Sequence, residues 1–346
     1  MKSKSLAVAA LIGVGLTTSA NAGSLEELKQ LLNQQDVSID LALTGDYLYT
    51  ADRSDSTNAD QFAYNTYMGL FKEASNESPF GFGLELSNNE WAPVVGSEPI
   101  PSVSSSISVD QAYVEVLLKN FNIKAGRILT NIGGEAPYTW QNINIQRGLV
   151  WNGEPVYYNG VRFSGNFGAY GVYVGINDRD TSDGKMALEA GISGDLSQKT
   201  SVSFNVLIPD SKDNNPTKVY NLTFTSDYFE KAPITFYVDY LSTPQKGQDA
   251  QSIGAAFLVD FKVNNQVSVG SRVEYVNNDG DGDNYGIGTG NNALTFTLTP
   301  KYQINKYLYV RGEASYVSLG HKYYNKNDNS KTDSEFRVGA EIGFVF

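Results

Sequence analysis

The sequence predicts an all-β protein: a transmembrane antiparallel up-and-down β-barrel of about 16 strands, with a long inward loop after strand 5 and a short N-terminal helix. Three observations support this prediction. The chain starts with an export signal, apolar and polar residues then alternate to its last position, and long polar connections alternate with tight turns. A side-chain period of two is typical of strands, and alternation of long and short connections is typical of membrane barrels.

Residues 1–22 are predicted to be a secretory signal peptide. Lys2 and Lys4 provide a positive start, Leu6–Leu16 is a short apolar run, and Ala20-Asn21-Ala22 fits the small-x-small cleavage rule. The apolar run is shorter than the roughly 18 residues that a membrane-spanning helix needs, and no later run approaches that length. We therefore expect an exported chain that crosses any membrane with strands.

The composition excludes several classes of function. Two of the 26 basic residues lie in the predicted signal while all 38 acidic residues remain, which leaves a net charge of about −14 and argues against nucleic acid as a partner. The chain has no cysteine, so neither disulfides nor thiol chemistry are available. The 22 tyrosines and 17 phenylalanines suit the aromatic girdles of a membrane barrel, although a secreted all-β domain has a similar composition.

Residues 23–36 are predicted to form a short helical segment. Leu25, Leu28, Leu31 and Leu32 form one apolar stripe at helical spacing, and Ser24 with Glu27 forms a capping box. Four interpretations remain open for this helix. It could lie in the periplasm, enter the barrel mouth, pack between subunits, or be a frayed extension.

Residues 37–346 are predicted to form the barrel. After the first strand, the alternating segments are 62–71, 80–86, 108–118, 122–130, 156–166, 169–176, 186–193, 201–208, 218–225, 234–241, 253–261, 266–276, 293–303, 306–317 and the final strand. The long connections are 51–61, 88–107, 131–155, 177–185, 209–216, 242–251, 277–292 and 319–333. The others are mostly tight turns, so the pattern favours a barrel with long outer loops over a sandwich.

The last strand ends the chain on an aromatic residue of its apolar face. That face carries Phe336, Val338, Ala340, Ile342, Phe344 and Phe346. The opposite face consists of charged residues and glycines, apart from Val345. This ending resembles the C-terminal signal of Gram-negative outer-membrane barrels. The resemblance implies that Ile342, Phe344 and Phe346 form an assembly signal read by the barrel assembly machinery, with Phe346 in the lipid-facing row.

Parity places many charged residues on the inner face of the predicted barrel. These residues are Glu85, Lys124, Arg162, Glu189, Asp239, Asp260, Arg272, Glu274, Lys301, Arg311, Glu313, Glu335, Arg337 and Glu341. The same faces carry hydroxyl residues such as Ser201, Ser203, Thr223, Thr295 and Thr297. A lysine or arginine facing lipid at mid-bilayer costs about 2–4 kcal/mol, so these charges require a wet interior. A barrel of about sixteen strands leaves an aqueous channel.

The segment Gly126–Gly165 contains a series of short motifs in a fixed order. These are Gly-Arg, Ile-Gly, a long aromatic and amide-rich excursion, Arg-Gly, Glu-Pro, and Gly-Val-Arg at the start of the next strand. This order resembles that of the OmpL-like outer-membrane porins. The resemblance implies a channel in the Gram-negative outer membrane for passive diffusion of small hydrophilic solutes and ions, without a cofactor. It also implies outer-membrane lipids as partners, a homotrimer, and an excursion that narrows the lumen.

The connection 131–155 is the predicted pore constriction. Its candidate residues are Glu135, Tyr138, Trp140, Arg147 and Glu154. Acidic residues outnumber basic ones among the inward-facing charges, which predicts a moderately cation-preferring pore at low salt. The opposing expectation is a narrow basic ring formed by Lys124, Arg162 and Arg147.

Other functions receive less support from the sequence. A substrate-specific transporter and a structural or adhesive surface barrel remain as alternatives to the porin. An enzyme is not expected, because His321 is the only histidine and no Gly-x-Ser-x-Gly motif accompanies it. Asp279, Asp281 and Asp283 alternate as in a calcium loop, but the run lacks the glutamate at position 12 and the glycine at position 6 of an EF-hand. We therefore expect a solvated, turn-rich loop, with weak binding of a divalent cation as the alternative.

Overall fold

The structure is a computed structural model that describes residues 25–51, 60–88, 93–96, 106–179, 183–245, 249–326 and 330–346. The predicted signal peptide, residues 1–22, lies outside the described residues. Within the described ranges, no helix is both long enough and apolar enough to span a membrane.

The described residues form one short helix, α1 (Leu25–Asn33), and eighteen strands. The strands are β1 (Ser38–Ala51), β2 (Asp60–Lys72), β3 (Phe80–Ser87), β4 (Ser108–Leu118), β5 (Phe121–Leu129), β6 (Tyr157–Phe167), β7 (Tyr170–Asn177), β8 (Ala187–Ser197), β9 (Thr200–Pro209), β10 (Lys218–Ser226), β11 (Ile234–Thr243), β12 (Ala250–Lys262), β13 (Val267–Asp279), β14 (Asn292–Gln303), β15 (Leu308–Leu319), β16 (Tyr324–Asn325), β17 (Lys331–Thr332) and β18 (Ser334–Val345).

Sixteen of these strands form a closed antiparallel barrel, and β16 and β17 form a separate small hairpin. Each barrel strand pairs with its neighbours along the chain, and β18 closes the barrel by pairing with β1, from Ala42 opposite Val345 to Ala51 opposite Phe336. Closure leaves no unpaired edge in the sheet, which is the condition for strands to cross a membrane. The prediction of an antiparallel barrel of about 16 strands with a short N-terminal helix is confirmed.

The inner face of the barrel wall carries polar and charged side chains and the outer face carries apolar ones, as expected from the side-chain period of two in a strand. On β18, Glu335, Arg337 and Glu341 are buried inside the barrel, whereas Phe336 and Ile342 point outward and are 45% and 54% exposed. The outward faces of other strands likewise expose large apolar side chains such as Leu43, Phe163 and Phe296. The outer surface is therefore the face that suits lipid.

Helix α1 packs against the outside of the barrel, at the end that carries the tight turns. Leu28 and Leu32 lie in one apolar cluster with outward-facing residues of the wall, including Ile39, Leu70 and Phe346. Phe346 has the outward parity that the sequence predicts, but it is only 7% exposed because α1 covers it. The expectation that its ring faces lipid is therefore corrected, since parity cannot show what packs over a wall.

Candidate functional site

The segment 130–156, which joins β5 to β6, lies against the inward-facing side chains of distant strands. The amide of Thr130 donates a 2.8 Å hydrogen bond to the carbonyl of Val156, so the two ends of the segment are held together. Between them the chain forms two short 3₁₀ turns, Thr139–Gln141 and Val150–Gly153. The contacts of this segment decide which inner-wall groups water can reach.

The first group of contacts is with β15. The Glu313 carboxylate accepts hydrogen bonds from the amides of Ile145 (2.5 Å) and Gln146 (3.0 Å). The Arg311 guanidinium donates to the carbonyls of Thr139 (2.7 Å) and Asn142 (2.8 Å). Both charged side chains are buried, and a buried charge is tolerated only when it is paired or hydrogen-bonded. They therefore act as anchors for the main chain of the segment.

A second group of contacts is with β13. Arg272 Nη1 lies 2.6 Å from the carbonyl oxygen of Gln146 and 2.6 Å from Glu135 Oε1. Glu274 accepts hydrogen bonds from the amides of Leu149 (3.2 Å) and Val150 (3.3 Å). Arg272 and Glu274 are residues of the barrel wall, but their side chains form hydrogen bonds with the segment and do not face open water.

Glycines allow the segment to approach the wall closely. A Cβ atom at Gly148 would lie 1.8 Å from Glu274 Oε1, and one at Gly134 would lie 2.3 Å from the Tyr237 ring. Distances below 3 Å leave no room for a side chain. Sequence analysis did not single out these residues, although the density of glycine in 131–155 was a signal that could have found them.

The aromatic residues Tyr138 and Trp140 of the segment pack near β2 and β4. The rings of Tyr138 and Trp140 are stacked, with centroids 4.7 Å apart and an interplanar angle of 12°. Tyr138 also lies 4.8 Å from the ring of Tyr67 on β2, and its hydroxyl donates to Asp110 on β4. The segment therefore contacts both β2 and β4 as well as β11, β13 and β15.

Two ionisable groups of the segment are strongly affected by burial. Burial lowers the pKa of Arg147 to about 9, and its guanidinium carbon lies 4.1 Å from the Trp151 ring centroid. Burial, followed by the nearby carboxyl of Asp239, raises the pKa of Glu154 well above its ordinary value. Burial therefore favours the neutral form of the Glu154 carboxyl.

The five residues of the predicted constriction are close to one another along the chain, but most do not face water. Tyr138, Arg147 and Glu154 are buried, and the side chain of Glu135 is 1% exposed in an ion pair with Arg272. Trp140 is half-buried. These residues position the segment more than they line an open path.

The fourteen inward charges predicted from parity divide into two sets. Eleven are buried: Glu85, Arg162, Glu189, Asp239, Arg272, Glu274, Arg311, Glu313, Glu335, Arg337 and Glu341. Several of these form ion pairs within the wall, such as Arg162 with Glu189 at 2.9 Å. Only Lys124, Asp260 and Lys301 keep partial exposure. Parity thus identified the face of each charge but not its access to water.

Open space remains on the inner side of β4 to β10. A cavity of about 400 Å³ is lined by residues that include Lys124, Arg162 and Tyr173. A second cavity, of about 420 Å³, shares Asn166, Gly171 and Ser193 with the first. The rest of the second cavity is lined largely by hydroxyl groups and one carboxylate, those of Ser201, Ser203, Thr223, Thr225 and Asp195. The two cavities form a continuous polar region beside the segment 130–156.

The outer connection between β13 and β14 contains the three aspartates of the predicted divalent-cation site. Asp283 accepts hydrogen bonds from Asn278 Nδ2 (2.8 Å) and from the amides of Ile287 (2.9 Å) and Gly288 (3.0 Å). Asp279 and Asp281 are exposed. Among the described residues, no three or more histidine, cysteine or acidic side chains are grouped to hold a metal. Asp283 thus takes part in the folding of its own loop, and weak binding of a divalent cation at these aspartates stays a prediction.

The barrel resembles solved outer-membrane proteins. A loop L8 deletion mutant of OmpT from Vibrio cholerae matches with a TM-score of 0.64 at 11% identity, over 90% of this chain and 99% of that one. The channel DcaP of Acinetobacter baumannii matches with a TM-score of 0.63 at 14% identity, over 90% and 97%. An anion-selective porin from Comamonas acidovorans matches with a TM-score of 0.61 at 12% identity, over 90% and 99%.

No curated protein matches the chain in sequence. The model of one protein family, described as putative beta-barrel porin-2, OmpL-like, matches residues 36–346. This match covers the whole barrel, and it agrees with the resemblance that the segment Gly126–Gly165 indicated. The chain therefore belongs to the OmpL-like family of outer-membrane β-barrel porins.

Proposed function

We propose that this protein forms a water-filled channel for passive diffusion of small hydrophilic solutes and ions across the outer membrane. The observation that supports this most directly is the polar open region beside β4 to β10, inside a closed barrel of sixteen strands. Barrels of this size enclose an aqueous channel. The family and its structural neighbours are porins and channels, and we propose that this chain likewise has no enzymatic activity.

We further propose that the constriction lies between the segment 130–156 and the wall from β5 to β10. The segment is bonded to β13 and β15, and a polar open space lies along the inner side of the strands from β4 to β10. The wall there presents hydroxyl and amide groups, with Lys124, Arg162 and Asp195 as charges. Such a wall suits uncharged hydrophilic solutes as well as small ions.

We also propose a moderate preference for cations. This proposal rests on the acidic outer connections and not on the count of inward-facing charges. Charges lining the open region are mixed in sign, with Lys124 and Arg162 against Glu115 and Asp195. The outer connection 277–292, by contrast, contains three aspartates and no basic residue. An acidic entrance raises the local concentration of cations. The fold does not set the sign, because the neighbour from Comamonas acidovorans is anion-selective.

Planar-bilayer recordings under a salt gradient test the pore and its ion preference together. The expected result is a stable conductance whose reversal potential indicates cation preference at 0.1 M salt. The preference should weaken at 1 M salt, because the Debye length falls from about 10 Å to about 3 Å. Absence of conductance from folded protein contradicts the channel, and anion preference at 0.1 M contradicts the role of the entrance.

We also propose that the channel assembles as a homotrimer. One structural neighbour, OmpT of Vibrio cholerae, has been solved in a trimer form. Native mass spectrometry in mild detergent should detect the mass of three chains. A spectrum with monomer alone, from protein that conducts normally, contradicts this assembly. We expect export by the predicted signal peptide to precede insertion, which N-terminal sequencing of the mature protein checks.

A further inference from the structure

The N-terminal helix covers the place where the barrel closes. The main chain of the last residue completes the closing ladder: the amide of Phe346 donates to the carbonyl of Leu41 at 2.8 Å, and the amide of Leu41 donates back at 3.1 Å. The ring of Phe346 lies beneath α1, with Lys29 Nζ 4.7 Å from the ring centroid. The end of the chain is thus fixed by β1 and covered by α1 at once.

The surface beneath α1 comes from both ends of the barrel sequence. Ile39 of β1 and Leu70 of β2 lie in the same apolar cluster as Tyr307 and Phe346. These two pairs are distant along the chain and become neighbours only when β1 pairs with β18. The cluster that holds α1 therefore does not exist in an open sheet.

Polar contacts attach the start of α1 to the turn before β15. Lys306 Nζ lies 2.5 Å from Glu26 Oε1, and the hydroxyl of Tyr307 donates to the same carboxylate. Both partners of the ion pair are largely exposed, so the pair orients the helix more than it stabilises it. A helix of nine residues is marginal in isolation, so the order of α1 depends on this docking.

We propose that α1 is a clasp that binds the closed seam between β1 and β18 and holds the barrel shut. Because its docking surface exists only in the closed barrel, docking stabilises the closed form by thermodynamic linkage. The clasp also covers the side chain of Phe346, the residue that the sequence identifies as the end of the assembly signal. That side chain is then accessible only before closure.

A pair of adjacent leucines provides the test. Leu32 is 8% exposed and faces the seam, whereas Leu31 is 45% exposed on the same helix. Mature full-length Leu32→Ala and Leu31→Ala proteins are folded in detergent and heated, and the conversion of folded to unfolded bands is timed on gels. We expect Leu32→Ala to unfold about tenfold faster or more, and Leu31→Ala to unfold within about twofold of the parent rate.

Hydrogen exchange followed by mass spectrometry distinguishes a clasp from general packing. In Leu32→Ala, peptides from β1 and β18 should exchange faster, while peptides from β8 and β9 keep the parent rate. Unchanged unfolding and exchange in Leu32→Ala overturn the proposal, and so does equal acceleration in all strands. If Leu32→Ala does not fold, Leu28→Ala removes a second helix side chain from the same apolar cluster and is expected to give the same selective exchange at the seam.

Discussion

Replacement of one wall carboxylate should loosen the segment 130–156 without unfolding the barrel. Each oxygen of Glu313 accepts two hydrogen bonds: Oε1 from the amide and the side chain of Gln146, and Oε2 from the amide of Ile145 and the hydroxyl of Thr299. In Glu313→Gln, one oxygen becomes an NH₂ group, which cannot accept. Two donors to a charged acceptor then lose their partner.

The size of the effect follows from these two lost bonds. A hydrogen bond to a charged group contributes about 1.5–3 kcal/mol, and one or two of the lost bonds attach the segment, so the change should weaken local attachment by about 1.5–6 kcal/mol. That corresponds to a shift of about 10- to 10⁴-fold between attached and detached states. The contacts with Arg272 and Glu274 remain, so we expect brief local detachment at Ile145 and Gln146 rather than release of the whole segment.

Single-channel recording in planar bilayers is the assay. Glu313→Gln should show brief increases in current that the parent channel lacks, in protein whose heat-modifiable folding is normal. Glu115→Gln is the matched control, because it removes the same charge from another buried inward-facing position whose described hydrogen bonds do not involve the segment. Identical current noise in Glu313→Gln and the parent would refute the reasoning, as would equal noise in the two variants.

Four further predictions concern the seam, the constriction and the lumen. Deletion of Phe346 should impair folding into the membrane because the ladder to β1 and the contact with α1 are both lost, and normal amounts of heat-modifiable protein would argue against this. Deletion of residues 135–154 should enlarge the conductance, and an unchanged value in folded protein would place the segment outside the pore. Lys124→Glu should strengthen cation preference at 0.1 M salt, since its side chain is 30% exposed in the open region; an unchanged reversal potential would show that ions avoid this wall. Because the pKa of Glu154 is raised in the folded protein, its carboxyl ionises at a lower pH in the unfolded chain than in the folded one. The free energy of unfolding should therefore fall as pH rises from about 4.5 through the folded-state pKa. Glu154→Gln should reduce this dependence in thermal unfolding measured across that range.

Much of the architecture was predictable from the sequence, because it depends on local patterns. Alternation along β18 places Arg337 inside and Phe336 outside, and the same period holds in the neighbouring strands. Connection lengths indicate which turns are tight, and the number of alternating segments agrees with the sixteen strands of the closed barrel. The segment Gly126–Gly165 also indicated the family that the match over residues 36–346 shows.

The candidate site was less predictable, because solvent access depends on contacts between residues far apart in the chain. Glu313 and Lys124 both have inward parity, but one is bonded to the main chain at Ile145 and the other lines open space. The bond between Arg272 and the carbonyl of Gln146 joins residues 126 positions apart. A local sequence pattern cannot show a contact between residues so far apart in the chain. A count of inward-facing charges therefore includes many side chains that water does not reach.

At the end of the chain, too, a local sequence pattern shows the direction of a side chain but not what packs against it. Sequence by itself determined that Phe346 lies on the outward row, because the strand period is a property of the backbone. Only the tertiary structure decided that α1 covers its ring, because the cluster of Leu32, Ile39, Leu70 and Phe346 forms from three separate elements and the chain end once the barrel has closed. A face is set by neighbours along the strand, whereas its environment is set by whatever the complete fold packs against it.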